Sequence, residues 1–121
     1  MKERGFLTIR GHNEAGVIAV LSADTPWERI RGLIRKTLKP DRALFIHGCW
    51  AIHTFFMQVP IDVLFVDREF RVLRGIIGLR PYRLAACRGA EGVLEFQGGR
   101  LADAGISPGT VLEFREKTEM P

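Results

Sequence analysis

Cysteine is scarce in this chain: two among 121 residues, Cys49 and Cys87. Two are too few for the multi-bridge framework of a small secreted domain, so both are expected to be reduced, small, buried hydrophobes. No apolar run approaches the roughly 18–20 residues that cross a bilayer, and no membrane segment is expected. The N-terminal MKERGFLTIRGHNE is charged. It lacks the apolar stretch of about 7–15 residues that a secretory signal needs, so a cytoplasmic location is expected. Internal repeats, low-complexity tracts and linkers are also missing, which predicts one domain over residues 1–121 with a frayed tail at 116–121.

The residues present are those of an ordinary globular domain, 46% hydrophobic and 26% charged with a net charge of +4. The positive excess lies in the first half and concentrates in 29–42, where Arg29, Arg31, Arg35, Lys36, Lys39 and Arg42 face only Asp41. Such a patch could meet phosphates or an acidic partner, but moderate basicity is only a first criterion and a solvated helix face is the preferred reading. A second basic stretch carries Arg68, Arg71, Arg74, Arg80, Arg83 and Arg88 against Glu69 alone.

Two short apolar runs, GFLTIR (5–10) and VIAVL (17–21), flank the turn-like GHNEAG and predict a hairpin. In DTPWERIRGLIRKTL, Thr25, Pro26 and Glu28 make a capping box. Trp27, Ile30, Leu33, Ile34 and Leu38 follow at helical spacing, predicting an amphipathic helix over 26–39 that Pro40 ends. From Ala43 onward β-branched and aromatic residues dominate, and ALFI, AIHTFFM, PIDVLFVD, FRVLRGIIGL, GVLEFQGG and VLEFRE read as strands. RLADAG is long enough for a short helix closed by Gly105, and SPGT is a turn. The expected fold is α+β, mainly β: a mostly antiparallel sheet curled into a barrel-like core, with one amphipathic and one short helix.

The stretch IHGCWAIHTFFMQVPID (46–62) concentrates the chemistry. An uninterrupted strand would place His47, Cys49, Ala51, His53, Phe55 and Met57 on one face, and histidine, cysteine and methionine suit soft metals. The spacing argues against a site of His47, Cys49 and His53, because about 3.3 Å per residue separates Cys49 from His53 by roughly 13 Å. No zinc-type spacing is present. Cys49, His53 and Asp62 also supply the residue types of a nucleophile, base and acid. If Gln58 and Val59 form a hairpin turn, His53 and Asp62 become diagonal neighbours and Cys49 stays apart.

Asp62 is the anomaly of this stretch. In PIDVLFVD it shares an apolar face with Leu64 and Val66, and a buried carboxylate needs a partner; a nearby Thr, His or Arg is expected. Trp50, Phe55 and Phe56 are not interleaved with Lys or Arg, which favours core or rim aromatics over a base-stacking platform.

ERIRGLIRKTL, ALFI, IHTFFMQVPIDVLFVD, VLEFQGG and AGISPGTVLEF together resemble the bacterial and archaeal family of domains of unknown function numbered 192. The likeness runs from about Val17 to Phe114. It implies a small, mostly β domain whose activity is not established. It carries over Gly32, Leu33, Met57, Pro60, Ile61, Asp62, Leu94, Glu95, Gly99, Gly105 and Gly109 as framework positions. The chain departs at IHTFFM, where other members resemble FWMKNT, at EFQGG, where ELPAG is usual, and at Thr110, where Asp is common.

These readings favour a noncatalytic module that binds a small ligand or a protein, with no cofactor, in a groove near His53, Met57 and Asp62 rimmed by Trp50 and Phe55. A soft-metal or Cys/His enzyme site around Cys49 and His53 is one alternative. Nucleic-acid binding through the basic helix 26–39 is another.

Overall fold

The computed structural model describes residues 2–9, 16–22, 39–55 and 57–116. Among these residues nine strands run in chain order: β1 (Lys2–Ile9), β2 (Gly16–Ser22), β3 (Arg42–His47), β4 (Ala51–His53), β5 (Ile61–Val66), β6 (Val72–Leu79), β7 (Leu84–Ala86), β8 (Gly92–Gln97) and β9 (Glu113–Glu116). Seven form one sheet in the order β6-β5-β8-β3-β2-β1-β9, and β4 and β7 form a separate two-stranded ribbon. Only β2 and β3 pair in parallel within the large sheet; its other pairs are antiparallel.

The expected α+β class is corrected to all-β over the described residues, which contain no helix. Residues 26–38 of the helix predicted over 26–39 lie outside the described residues, and Lys39, its last residue, is not helical. The short helix predicted in RLADAG is overturned. Residues 97–104 form successive tight turns, with Arg100, Ala102 and Ala104 amides donating three residues back to Gln97, Gly99 and Leu101 at 3.0, 3.2 and 3.1 Å. Gly99 (φ 84°) and Gly105 (φ 66°) bound this segment in the left-handed region, leaving it too short to repay helix nucleation.

The central strands explain their own sequences. Residues 61–66 of β5 are all buried, as are 43–46 of β3 and 92–96 of β8. A strand covered on both faces needs an apolar run and not an alternation, which is what ALFI, IDVLFV and GVLEF supply. One face packs Leu7, Ile18, Val20, Phe45, Leu64, Val66, Leu94 and Phe96 into the inner core. The other gathers Leu44, Ile46, Met57, Ile61, Val63, Phe65 and Val93 into an outer cluster. Each fully buried large apolar side chain contributes roughly 1.5–3 kcal/mol.

The sheet curls into a half-barrel whose two edges meet at one end. Val72 N donates to Thr110 O (2.8 Å), Gly109 N to Val72 O (2.8 Å) and Leu112 N to Phe70 O (2.9 Å), with an isolated bridge between Arg71 and Val111. Phe70 adopts φ 59°, unusual for a non-glycine residue, and stacks on Phe114 at 4.9 Å between ring centroids. The Asp67 carboxylate supports that turn by accepting from the amides of Glu69 and Arg71, both at 2.9 Å.

The strand predicted over AIHTFFM stops after His53, and the predicted hairpin between it and PIDVLFVD does not form. β4 pairs with β7, through Ala51–Ala86, Ile52–Ala85 and His53–Leu84, while β5 lies between β6 and β8. The ribbon lays Ile52 and Ala85 against the outer cluster.

Candidate functional site

Asp62 is fully buried, and its partners are backbone amides. Oδ1 accepts from Gly78 N at 2.8 Å and Gly99 N at 2.9 Å, and Oδ2 accepts from Leu101 N at 2.8 Å. Three amide donors satisfy a carboxylate that its apolar surroundings would otherwise strand. The expected Thr, His or Arg partner is thus replaced by main chain. The carboxylate that would orient a histidine is spent on tying the end of β6 to the turns after β8. Glu95 is a second buried carboxylate. It lies in register with Leu44 and Val63, on the opposite face of the sheet from Leu94 and Phe96.

Thr54 organises the ribbon. It is buried, and its amide donates to Arg83 O at 2.9 Å while its carbonyl accepts from Met57 N at 3.1 Å and Tyr82 N at 3.0 Å. Its hydroxyl donates to Arg80 O at 2.6 Å and accepts from Arg83 N at 2.9 Å. One residue thereby ends β4 and fixes the loop 80–83. Tyr82 sits in that loop at φ 61°, a conformation that costs a non-glycine residue on the order of 1 kcal/mol.

Beyond this clamp the ribbon turns apolar side chains outward. Tyr82 is 70% exposed, Leu84 74%, Trp50 56% and Phe55 42%. Leu84 lies directly opposite His53, whose ring rests on Phe55 at 5.2 Å between centroids. Ala51 and Ala86, also exposed, form the neighbouring pair. Arg74 reaches over from β6, its Nη1 donating to Ala86 O at 2.8 Å.

The residues singled out in the sequence fall into three environments. Trp50, His53 and Phe55 share the exposed ribbon. Met57 is buried in the outer cluster beside Ile61, and Asp62, the next residue along β5, turns to the other face. No three His, Cys, Asp or Glu side chains converge to hold a metal among the described residues. The Cys49 thiol donates to Ala51 O at 3.0 Å, and Cys49 and Cys87 both pack on the outer cluster. His47, at the end of β3, lines an open depression of about 510 Å³ with Gly48, Ala90 and the ion pair of Arg68 and Glu91.

A family model described as "DUF192: Uncharacterized ACR" matches residues 7–114. The chain belongs to this family. Among solved structures, this DUF192 chain is similar to a "putative transcription regulator" from Sinorhizobium meliloti, with TM-score 0.79, 21% identity, and 93% of this chain and 94% of that one covered. It is also similar to a protein of unknown function from Novosphingobium aromaticivorans, with TM-score 0.75, 25% identity, and coverage of 91% and 84%. At such identity the first likeness establishes the fold alone. No protein with a curated description matches. Among the described residues no helix is long and apolar enough to cross a membrane.

Sequence reasoning passed over Thr54, Tyr82 and Leu84. In RPYRLAAC the strand Leu84–Ala86 is three residues long and has no β-branched side chain, so it gave no strand signal. The available sign was Tyr82, the single tyrosine of this DUF192 chain, directly after Pro81 and between two arginines.

Proposed function

We propose that this protein is a noncatalytic module that binds an apolar segment of a partner protein on the outer face of the β4–β7 ribbon. The observation that carries the reading is Leu84, 74% exposed at the end of a ribbon whose inner face is core. A leucine there gains nothing for folding, and apolar side chains gathered on one exposed face favour an interaction site. Phe55, whose ring rests on the facing His53, Tyr82, two residues before Leu84, and Trp50, at the other end of the ribbon, are residue types that supply large contact area when a partner excludes water. Leu84, Ala51 and Ala86 make an aliphatic face, which suits an apolar side chain better than a nucleic-acid base.

The residues named from the sequence keep distinct roles in this reading. Trp50, His53 and Phe55 touch the partner. Met57 packs beneath the ribbon, and Asp62 holds Gly78 N, which sets where the chain leaves β6 towards Tyr82. The chemistry asked of the face is contact, not bond making.

Selection of short displayed peptides on the immobilised full chain tests the reading. Peptides are expected to be enriched that bind wild type, fail on Leu84→Asp, and persist on Val111→Asp, an exposed apolar position at the barrel closure. If nothing is enriched, or if every selected peptide binds Leu84→Asp as well as wild type, the reading falls.

A further inference from the structure

The charge around the ribbon face specifies its occupant more narrowly. β4 and its flanks, residues 42–61, contain no Asp or Glu, and neither do residues 70–90 around β6 and β7. Those same two stretches hold Arg42, Arg71, Arg74, Arg80, Arg83 and Arg88. Two of the four acids that bound them are committed. Asp62 is buried on three amides, and Glu91 pairs with Arg68. No ion pair among the described residues engages Arg74, Arg80, Arg83 or Arg88, and all four are exposed.

Two of these guanidinium groups are oriented by the ribbon itself. Arg74 Nη1 donates to Ala86 O at 2.8 Å and Arg83 Nη1 to Tyr82 O at 3.3 Å. Each retains further donors, because a guanidinium carries five N–H bonds in a planar fork. Arg80 and Arg83 are fixed through their backbones by Thr54, the first through its carbonyl and the second through both carbonyl and amide. The ribbon therefore exposes apolar side chains, carries arginines beside them and is free of acid along both strands.

We propose that the partner segment is acidic: an apolar side chain docks against Leu84 beside His53 while flanking carboxylates take Arg74, Arg80, Arg83 and Arg88. This rests on the protein-binding reading above and names its partner's chemistry. Carboxylates meet arginine forks in paired, charge-assisted hydrogen bonds, and opposite fields speed and orient the encounter. A basic or neutral segment of the same apolar content forgoes those bonds.

The peptides selected on the full chain test this. Those whose binding needs Leu84 are expected to carry Asp or Glu beside their apolar residues. Synthetic copies with Asn and Gln at those positions are expected to bind about tenfold more weakly by fluorescence anisotropy, and affinity should fall with added salt. The variant Arg80→Glu/Arg83→Glu/Arg88→Glu should lose the acidic peptides, whereas Arg115→Glu on β9 should keep them. Circular dichroism confirms that each variant is folded, and Arg→Gln versions replace any Glu variant that is not. If the Leu84-dependent peptides are neutral or basic, or if the Asn/Gln copies bind equally well, the acidic partner is overturned and the protein-binding reading stands. Absence of any Leu84-dependent peptide overturns both. A fluorescein-labelled oligothymidine that outcompetes every acidic peptide through the same arginines overturns the proposal in favour of nucleic acid.

Discussion

Thr54 and Arg83 are bonded in both directions: the Thr54 amide donates to the Arg83 carbonyl at 2.9 Å, and the Arg83 amide returns a bond to the Thr54 hydroxyl, also at 2.9 Å. The pair joins the end of β4 to the start of β7, so the exposed face exists only while it holds. Thr54→Val keeps the shape and deletes the hydroxyl, leaving Arg83 N and Arg80 O without that partner. A loss of about 1–3 kcal/mol is expected, read as a lower urea midpoint. Trypsin should also cleave after Arg83 faster than in wild type. Unchanged cleavage would show that the clamp does not restrain the loop.

Asp62 tests the interior in the same way. Asn at this position retains one carbonyl oxygen for Gly78 N and Gly99 N but presents an NH₂ group to the Leu101 amide, donor against donor. Asp62→Asn is expected to cost about 2–4 kcal/mol. Chemical denaturation measures it, and a variant as stable as wild type would mean that the amides do not depend on the carboxylate.

Two glycines separate steric from conformational demands. A Cβ at Gly92 would lie 2.4 Å from Cε1 of the buried Phe45 ring, so Gly92→Ala is expected to destabilise by about 1–3 kcal/mol through overpacking. A Cβ at Gly48 meets nothing within 4 Å, but the backbone there has φ 68°, and Gly48→Ala should cost only about 1 kcal/mol. Thermal unfolding of the two variants should rank them in that order.

Leu84→Ser should separate folding from binding. A 74% exposed side chain contributes little to the core, and stability is expected to stay within about 0.5 kcal/mol of wild type. Peptide binding should nevertheless be lost. A marked fall in melting temperature would instead make Leu84 part of the packing.

Much of the strand order was legible because burial leaves a local trace. ALFI, IDVLFV and GVLEF are apolar runs bounded by turn residues, and each became a central strand. GFLTI and VIAVL, separated in sequence by turn-like residues, became the antiparallel pair β1–β2. Glycines at 99, 105 and 109 stand where the backbone is left-handed. The RLADAG segment misled because its composition permits a helix, while Asp62, far away in sequence, holds the amides of Gly99 and Leu101 in turns.

The sequence alone determined that the apolar runs of β3, β5 and β8 extend and that Asp62, among apolar neighbours, needs partners. The tertiary structure decided who those partners are: amides 16, 37 and 39 residues further along the chain. It also decided that β4 pairs with β7 and not with β5. Apolar periodicity is local and survives in the sequence, whereas strand pairing depends on how the whole sheet closes. A backbone N–H belongs to almost every residue, so the donors that satisfy Asp62 leave no side-chain signature to read.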